Sequence, residues 1–425
     1  MKTLTTDVDR AAESIMARCD ELAAISADPA GIHRFYLSPQ HRHADRLAAD
    51  WMEAAGLTTW LDPAGTRCGR IEGARPGLPA VLLGSHLDTV PDAGRFDGIL
   101  GVLAAIAVAE VFSDRAAELP FALEVLAFHE EEGVRFGTTL MGSRAVAGTW
   151  DDAWFDRVDG DGIEVRTALR QFGLDPAGVS GAARRPEDVL AYLEAHIEQG
   201  AELETAGESL GVVTSIAGAR RLQLEIIGEA RHAGGTPYEH RRDALAGASE
   251  VCLAVERLGR ERGVIATVGN MAISPGVANV IAGNATLTVD LRARSDPERD
   301  AAVAAVLEDA RRITARRGLE LAVHETHTAR SVDCDPALQD AIAAGISASR
   351  PDGHRPPRLW SRAGHDAMAM ADLCPVGMLF VRCRGGISHH PDESVTVDDV
   401  AAMVRAMVAV VDELAGRHEQ GEVSR

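Results

Sequence analysis

Residues 79–113, PAVLLGSHLDTVPDAGRFDGILGVLAAIAVAEVFS, decide the fold. Residues 79–84 form a short apolar run, as expected of a strand buried on both faces. A polar turn follows, and 98–113 is then apolar enough for a helix covered all round. FALEVLAF at 121–128 is a second buried strand. Strand, helix, strand in this order predicts an α/β unit with parallel strands. Outward from it, 7–29 and 38–55 carry apolar residues at three- and four-residue spacing and read as helices. MLFV at 378–381 returns to an apolar strand, and 397–416 closes the chain's pattern with a helix.

Near residue 216 the pattern changes. RLQLEIIG (221–228) and ATLTVDLRAR (285–294) alternate apolar and polar side chains, so each reads as a strand with one polar face. Helical stretches at 239–259 and 296–317 accompany them. The expected organisation is a larger α/β domain in two parts, 1–215 and 331–425, interrupted by a smaller α/β domain at 216–330.

The 425 residues suffice for two or three domains with a large core. A formal net charge of −21 repels nucleic acid and anionic membrane, so neither partner is expected. It leaves room for an anionic substrate beside a local Arg. Lys2 is the only lysine, which removes lysine nucleophiles and Schiff bases from the core. None of the six cysteines forms a C-x-x-C pair, so cysteine zinc sites and a disulfide framework are not expected. No apolar run is long enough to span a bilayer, and the first residues lack a signal-peptide core; a cytoplasmic location is expected.

Four clusters carry chemistry. GSHLDTVPDAGRFDG (84–98) places His86 and Asp88 at the end of a strand, where parallel sheets open their active-site crevices. Asp88, two residues on, is placed to accept the second imidazole N–H of His86. Asp97 has two oxygens able to bridge two metals, or it caps the following helix. FHEEEGVRFG (128–137) sets three glutamates after a strand, a repulsive array unless cations neutralise it. A metal would do so and leave a second Glu to take a proton from water. His129-Glu130 lacks the second His of an H-E-x-x-H helix. AHIEQG (195–200) supplies His196, and GISHHPDE (386–393) supplies His389 and His390. Nitrogen and oxygen donors of this kind suit Zn²⁺ or another divalent ion. No phosphate-binding Gly-rich loop and no G-x-S-x-G elbow is present.

These stretches, with RHAGGTPYEHRRDA, GVANVIAG, DLRAR and AGHDA, occur in a fixed order from 84 to 393. In that order the chain resembles the hydantoinase/carbamoylase branch of the zinc-dependent amidohydrolase and exopeptidase superfamily. The resemblance implies an exopeptidase-like catalytic domain with an inserted ferredoxin-like domain that serves as lid and dimer interface of a homodimer. It implies two divalent ions, Zn²⁺ or else Mn²⁺, Co²⁺ or Ni²⁺. His86, Asp97 and His196 would hold one ion, and Asp97, Glu132 and His389 the other. Glu131 would be the general base, and His232 would reach the oxyanion, in a partner subunit's site. Gln199, Asn279 and Arg292 would bind a small anionic ureido acid, Arg292 clamping its carboxylate. An Arg fork suits a carboxylate as Lys does not.

Three positions depart from the family pattern: Tyr238 for Met, Ala282 for Pro and Arg362 for Gly. Arg362, near His365 and Asp366, either reaches the pocket or lies on the surface. The expected reaction is hydrolysis of an N-carbamoyl group on a carboxylate-bearing carbon, as in allantoate or an N-carbamoyl-L-amino acid. An amidase, aminoacylase or dipeptidase on the same centre is the alternative, and a non-catalytic small-molecule binding protein a more distant one.

Overall fold

A computed structural model describes residues 2–350 and 353–419, which fall into two compact units. The first comprises residues up to Thr214 together with Cys334–Leu359 and His365 onward; the second comprises Ser215–Asp333 and Trp360–Gly364.

The chain forms β1 (Thr58–Leu61), β2 (Arg67–Ile71), β3 (Ala80–His86), β4 (Ala122–Phe128), β5 (Val189–Ile197) and β6 (Leu210–Ile216). In the inserted unit follow β7 (Gly218–Ile227), β8 (Ile265–Ser274), β9 (Asn284–Ala293) and β10 (Glu320–Ala329). Two short strands, β11 (Val332–Asp333) and β12 (Arg358–Ser361), precede β13 (Val376–Val381).

In the larger unit the sheet order is β1-β2-β4-β3-β5-β13-β6. Its centre is parallel: β3 pairs with β4 and β5, and β5 with β13. Every residue of β3, β4 and β13 is buried, as parallel strands covered on both faces must be. The helix Ile99–Ser113 packs on β3, β4 and β5 and is covered by the helices Lys2–Ala23 and Val397–Glu419, which explains its lack of a polar face. Glu124 is the one charge within β4; Arg184 pairs with it at 2.7 Å. Stranding that buried carboxylate would cost about 3–5 kcal/mol.

The inserted unit runs strand–helix–strand–strand–helix–strand, with all neighbours antiparallel in the order β10-β7-β9-β8. This is the ferredoxin-like arrangement. Leu222, Leu224, Ile226, Leu287, Val289 and Leu291 face the helices Ala244–Arg262 and Asp296–Arg316 and form its core. The alternation seen in the sequence therefore separates a helix-covered face from an open one carrying Arg221, Thr288, Asp290 and Arg292.

Several helix bounds differ from expectation: the first helix begins at Lys2 rather than 7, and the last ends at Glu419 rather than 416. The first helix stops at Ala23, not near 29, because Ser26 Oγ takes backbone N–H groups of Asp28 and His33 and folds a loop. The helix expected from 239 begins at Ala244, where Asp243 accepts the N–H groups of Leu245 and Ala246 as cap. Among the described residues no helix is long and apolar enough to cross a membrane.

Candidate metal centre

The register of the parallel strands assembles the site. His86 ends β3 opposite Phe128 of β4, and His196 near the end of β5 lies opposite Phe380 of β13. The turns leaving these four strands thus emerge at one edge. They carry Asp97, the Glu130–Glu132 run, Gln199 and His389.

Asp97 lies at the middle. Its Oδ1 is 3.2 Å from His196 Nε2 and 3.9 Å from His86 Nε2. Its Oδ2 is 3.0 Å from His389 Nε2, which lies 3.4 Å from Glu132 Oε1. Ligand atoms around a tetrahedral ion with bonds near 2.0–2.1 Å sit about 3.3 Å apart, so these spacings suit a cation between them. Two oxygens of one carboxylate address two separate histidine sets, the arrangement of a bridge.

Backbone carbonyls fix the rings of the two buried histidines. His86 Nδ1 donates to the Asp88 carbonyl at 3.1 Å, and His196 Nδ1 donates to the Ile197 carbonyl at 2.9 Å. A carbonyl only accepts, so Nδ1 carries a proton in each ring, and Nε2, turned to Asp97, is the nitrogen that can give up its proton to a cation. Nε2 of His196 is buried without an aligned hydrogen bond, an orphan that a cation would satisfy. Gly98 has φ +69°, and a Cβ there would fall 2.4 Å from the His86 ring, so the turn after Asp97 admits only glycine.

The expected role of the Asp88 carboxylate is corrected. Its Oδ1 is 3.7 Å from His86 Nδ1, beyond hydrogen-bond length; Oδ1 instead accepts the backbone N–H of Glu131 at 3.2 Å and Oδ2 that of Glu132 at 3.1 Å. Asp88 shapes the acidic turn, and its carbonyl orients His86. Glu131 and Glu132 form a cluster with His86 in which one donor atom of each lies within 4.8 Å of the others. Glu130 points elsewhere, accepting from the Phe136 N–H at 2.9 Å. The sequence pair His129-Glu130 stays out of the centre, since His129 stacks on His41 with ring centroids 3.4 Å apart.

The charges fit a cation. Burial raises the Glu131 carboxyl well above its ordinary range, reinforced by Glu132, Asp366, Asp88 and Asp97. Burial and Asp97 push Glu132 up to about 8. Burial opposes charge on His196, but Asp97 outweighs it and holds this imidazole at about 9; Asp97 likewise raises His389 to about 9. A set of carboxylates this repulsive takes up protons unless divalent ions replace them.

Of the residues that surround the centre, Glu393 and Glu194 carried no sequence signal of their own, whereas His365 and Gln199 were named from the sequence. Glu393, 2% exposed, accepts the N–H groups of Phe96 and Asp97 at 2.8 and 3.1 Å and the Ser388 hydroxyl at 2.9 Å. It ties the Asp97 turn to the His389 loop; a Cβ on Gly94 would collide with it at 2.2 Å. Glu194 accepts from Ser85 Oγ and the Ala367 N–H beneath His196, and buried His365 meets the His196 ring edge-on at 4.5 Å. Gln199, at φ +54°, donates Nε2 to Asp97 Oδ2 at 3.0 Å.

Within the inserted unit, backbone bonds link the two loops that carry His232 and Asn279. Ala233 N donates to the Asn279 carbonyl, and His232 bridges Val280. Exposed His232 accepts the Gly235 N–H on Nδ1 at 3.0 Å, which leaves Nε2 as a hydrogen donor. Arg292 is half-buried on the open face of the sheet. Arg362 is exposed and lies over the Trp360 ring at 5.5 Å. Tyr238 is 83% exposed, with Arg241 stacked on it.

A strand-end site of this composition defines a metal-dependent hydrolase. The chain belongs to peptidase family M20/M25/M40, whose model matches residues 82–413. It is 40% identical to a probable allantoate deiminase from Oryza sativa subsp. japonica, over 95% of this chain and 88% of that one. It is 38% identical to an N-carbamoyl-L-amino acid amidohydrolase from Geobacillus stearothermophilus, over 96% and 99% of the two chains. A hydantoinase/carbamoylase-family amidase from Burkholderia multivorans superposes with a TM-score of 0.87 at 33% identity, over 95% and 98% of the chains.

Proposed function

We propose that this chain is a two-metal amidohydrolase that cleaves the ureido group of a small carboxylate-bearing substrate, allantoate or an N-carbamoyl-L-amino acid. The observation that carries the reading is the Asp97 carboxylate, whose two oxygens face different histidine sets with Glu131 beside them. End-to-end similarity to enzymes named for those two substrates supports the choice of bond.

In this reading His86, Asp97 and His196 hold one ion and Asp97, Glu132 and His389 the other; Zn²⁺, Mn²⁺, Co²⁺ and Ni²⁺ all accept such donors. Divalent ions supply Lewis-acid polarisation and make water nucleophilic near neutral pH. Glu131 takes the proton of the attacking water and returns it to the leaving nitrogen. The family resemblance assigns His232, through its Nε2 donor, to the developing oxyanion in a partner subunit's site, and Asn279 and Arg292 to the ureido acid, Arg292 to its carboxylate. Gln199 spends Nε2 on Asp97 and keeps Oε1 to accept a ureido N–H. The net change converts R–NH–CO–NH₂ and water into R–NH₂, CO₂ and NH₃.

The inserted unit is the proposed lid and dimer interface of a homodimer. Supporting this, β8 lies at the end of its sheet and pairs on one side only among the described residues, and Leu253 on the unit's first helix is 65% exposed. Sedimentation would give a dimer mass.

The direct test is ammonia release with added Mn²⁺ or Zn²⁺ from allantoate, N-carbamoyl-L-alanine, N-acetyl-L-alanine and a dipeptide. Ammonia from the first or second supports the reading. Cleavage of only the last two moves the centre to acylase or dipeptidase chemistry.

A further inference from the structure

Arg292 does not stand alone on the open face of the inserted sheet. Asp290, two residues earlier on β9 and so on the same face, takes its Nε and Nη2 hydrogens on separate oxygens, at 3.0 and 3.1 Å. Arg221, directly across on β7, donates Nε to Asp290 Oδ2 at 3.1 Å. The Arg292 Nη1 group donates to the Arg362 carbonyl at 2.9 Å. A guanidinium has five N–H groups. Three are occupied here, and two are left for a further acceptor.

We propose that Asp290, braced by Arg221, is a positioning residue that fixes the Arg292 guanidinium plane and leaves its remaining pair of N–H groups for the substrate carboxylate. This deepens the proposed function and rests on Arg292 being the carboxylate clamp. An Arg side chain free on a sheet surface samples many rotamers, and ordering it on binding costs affinity. The bidentate bond to Asp290 meets that cost in the folded chain. Two cations around one carboxylate leave the trio with a net positive charge, so a second anion is still attracted. The Arg362 contact uses only the backbone carbonyl, which any residue at 362 supplies. The unusual side chain there is therefore not what holds Arg292.

The test compares the wild type with Asp290→Asn, Arg221→Ala and Arg292→Ala. Substrates are allantoate, N-carbamoyl-L-alanine and N-carbamoyl-L-alaninamide, the last lacking a carboxylate. Asp290→Asn is expected to raise KM for the two acids about tenfold, the scale of a lost charge-assisted bond. Its kcat, its metal content and its KM for the amide should match the wild type, a split that a folding defect would not give. Arg221→Ala should raise KM for the acids by a smaller factor, and Arg292→Ala by at least as much as Asp290→Asn. A lower KM in Asp290→Asn would mean that Asp290 competes with substrate for the fork, and would overturn the proposal. A raised KM in Arg292→Ala alone would overturn it while keeping the clamp. Unchanged KM in both would remove clamp and positioning residue together.

Discussion

The strand ends of the larger unit and the open sheet face of the inserted unit hold their polar residues in opposite ways. At the strand ends, His86 and His196 are each 2% exposed, and backbone carbonyls fix their tautomers. Asp97 is held through its own N–H by Glu393, which comes from the far end of the sequence. Such a cluster is costly to bury and is useful only if cations complete it. In the inserted unit, His232 and Asn279 are exposed, and Arg292 is held by a neighbour two residues away. These residues cost the fold little and are suited to meeting a ligand. Substitutions in the first region should therefore alter metal content as well as rate, Glu131 excepted, and those in the second should alter kinetics alone.

The largest expected effect separates proton transfer from metal binding. Glu131→Gln should lower kcat by about 10²–10⁴-fold with both ions retained; ammonia release alongside metal analysis checks it. His232→Ala should lower kcat by about 10²–10³-fold, as for loss of an oxyanion donor, again with metal content unchanged. Loss of metal in His232→Ala would erase the contrast between the regions. Glu393→Gln should weaken metal binding about 10–100-fold, the usual cost of removing a group that orients a ligand. Equilibrium dialysis with Zn²⁺ measures it, and unchanged affinity would show that the Asp97 turn holds without Glu393.

The smallest effect is in pH. His196 and His389 lie at about 9 in the metal-free chain, so both carry protons at neutral pH. The ions bind only the deprotonated forms, so each binding event expels protons. Affinity for the ion assigned to His196 should rise about tenfold per pH unit below pH 9, and affinity for the ion assigned to Glu132 and His389 should rise more steeply below pH 8, where two protons leave; both should level off above pH 9. Calorimetry in buffers of different ionisation enthalpy would count the protons released.

Much of the larger unit was legible because buried parallel strands are continuous apolar runs and their polar ends stand out: His86, the Glu130–Glu132 run and His196. Strand alternation likewise placed Asp290 and Arg292 on one face. What could not be read depends on distant pairing. Glu393 matters through N–H groups at 96 and 97, and Glu194 through Ser85 and Ala367, partners that no local spacing reveals. Asp88 was assigned to His86 by proximity in sequence, yet the path of the chain turns its carbonyl to the ring and its carboxylate to the next strand's turn. The helix bounds at 23 and 244 were set by side-chain caps and loop bonds rather than by periodicity.

The most direct measurement is metal stoichiometry in wild type and Asp97→Ala after reconstitution with Zn²⁺ and removal of free ion. A carboxylate shared between two ions requires two per chain in the wild type and neither held in the variant. A variant that still holds one or both ions would contradict Asp97 as the bridge.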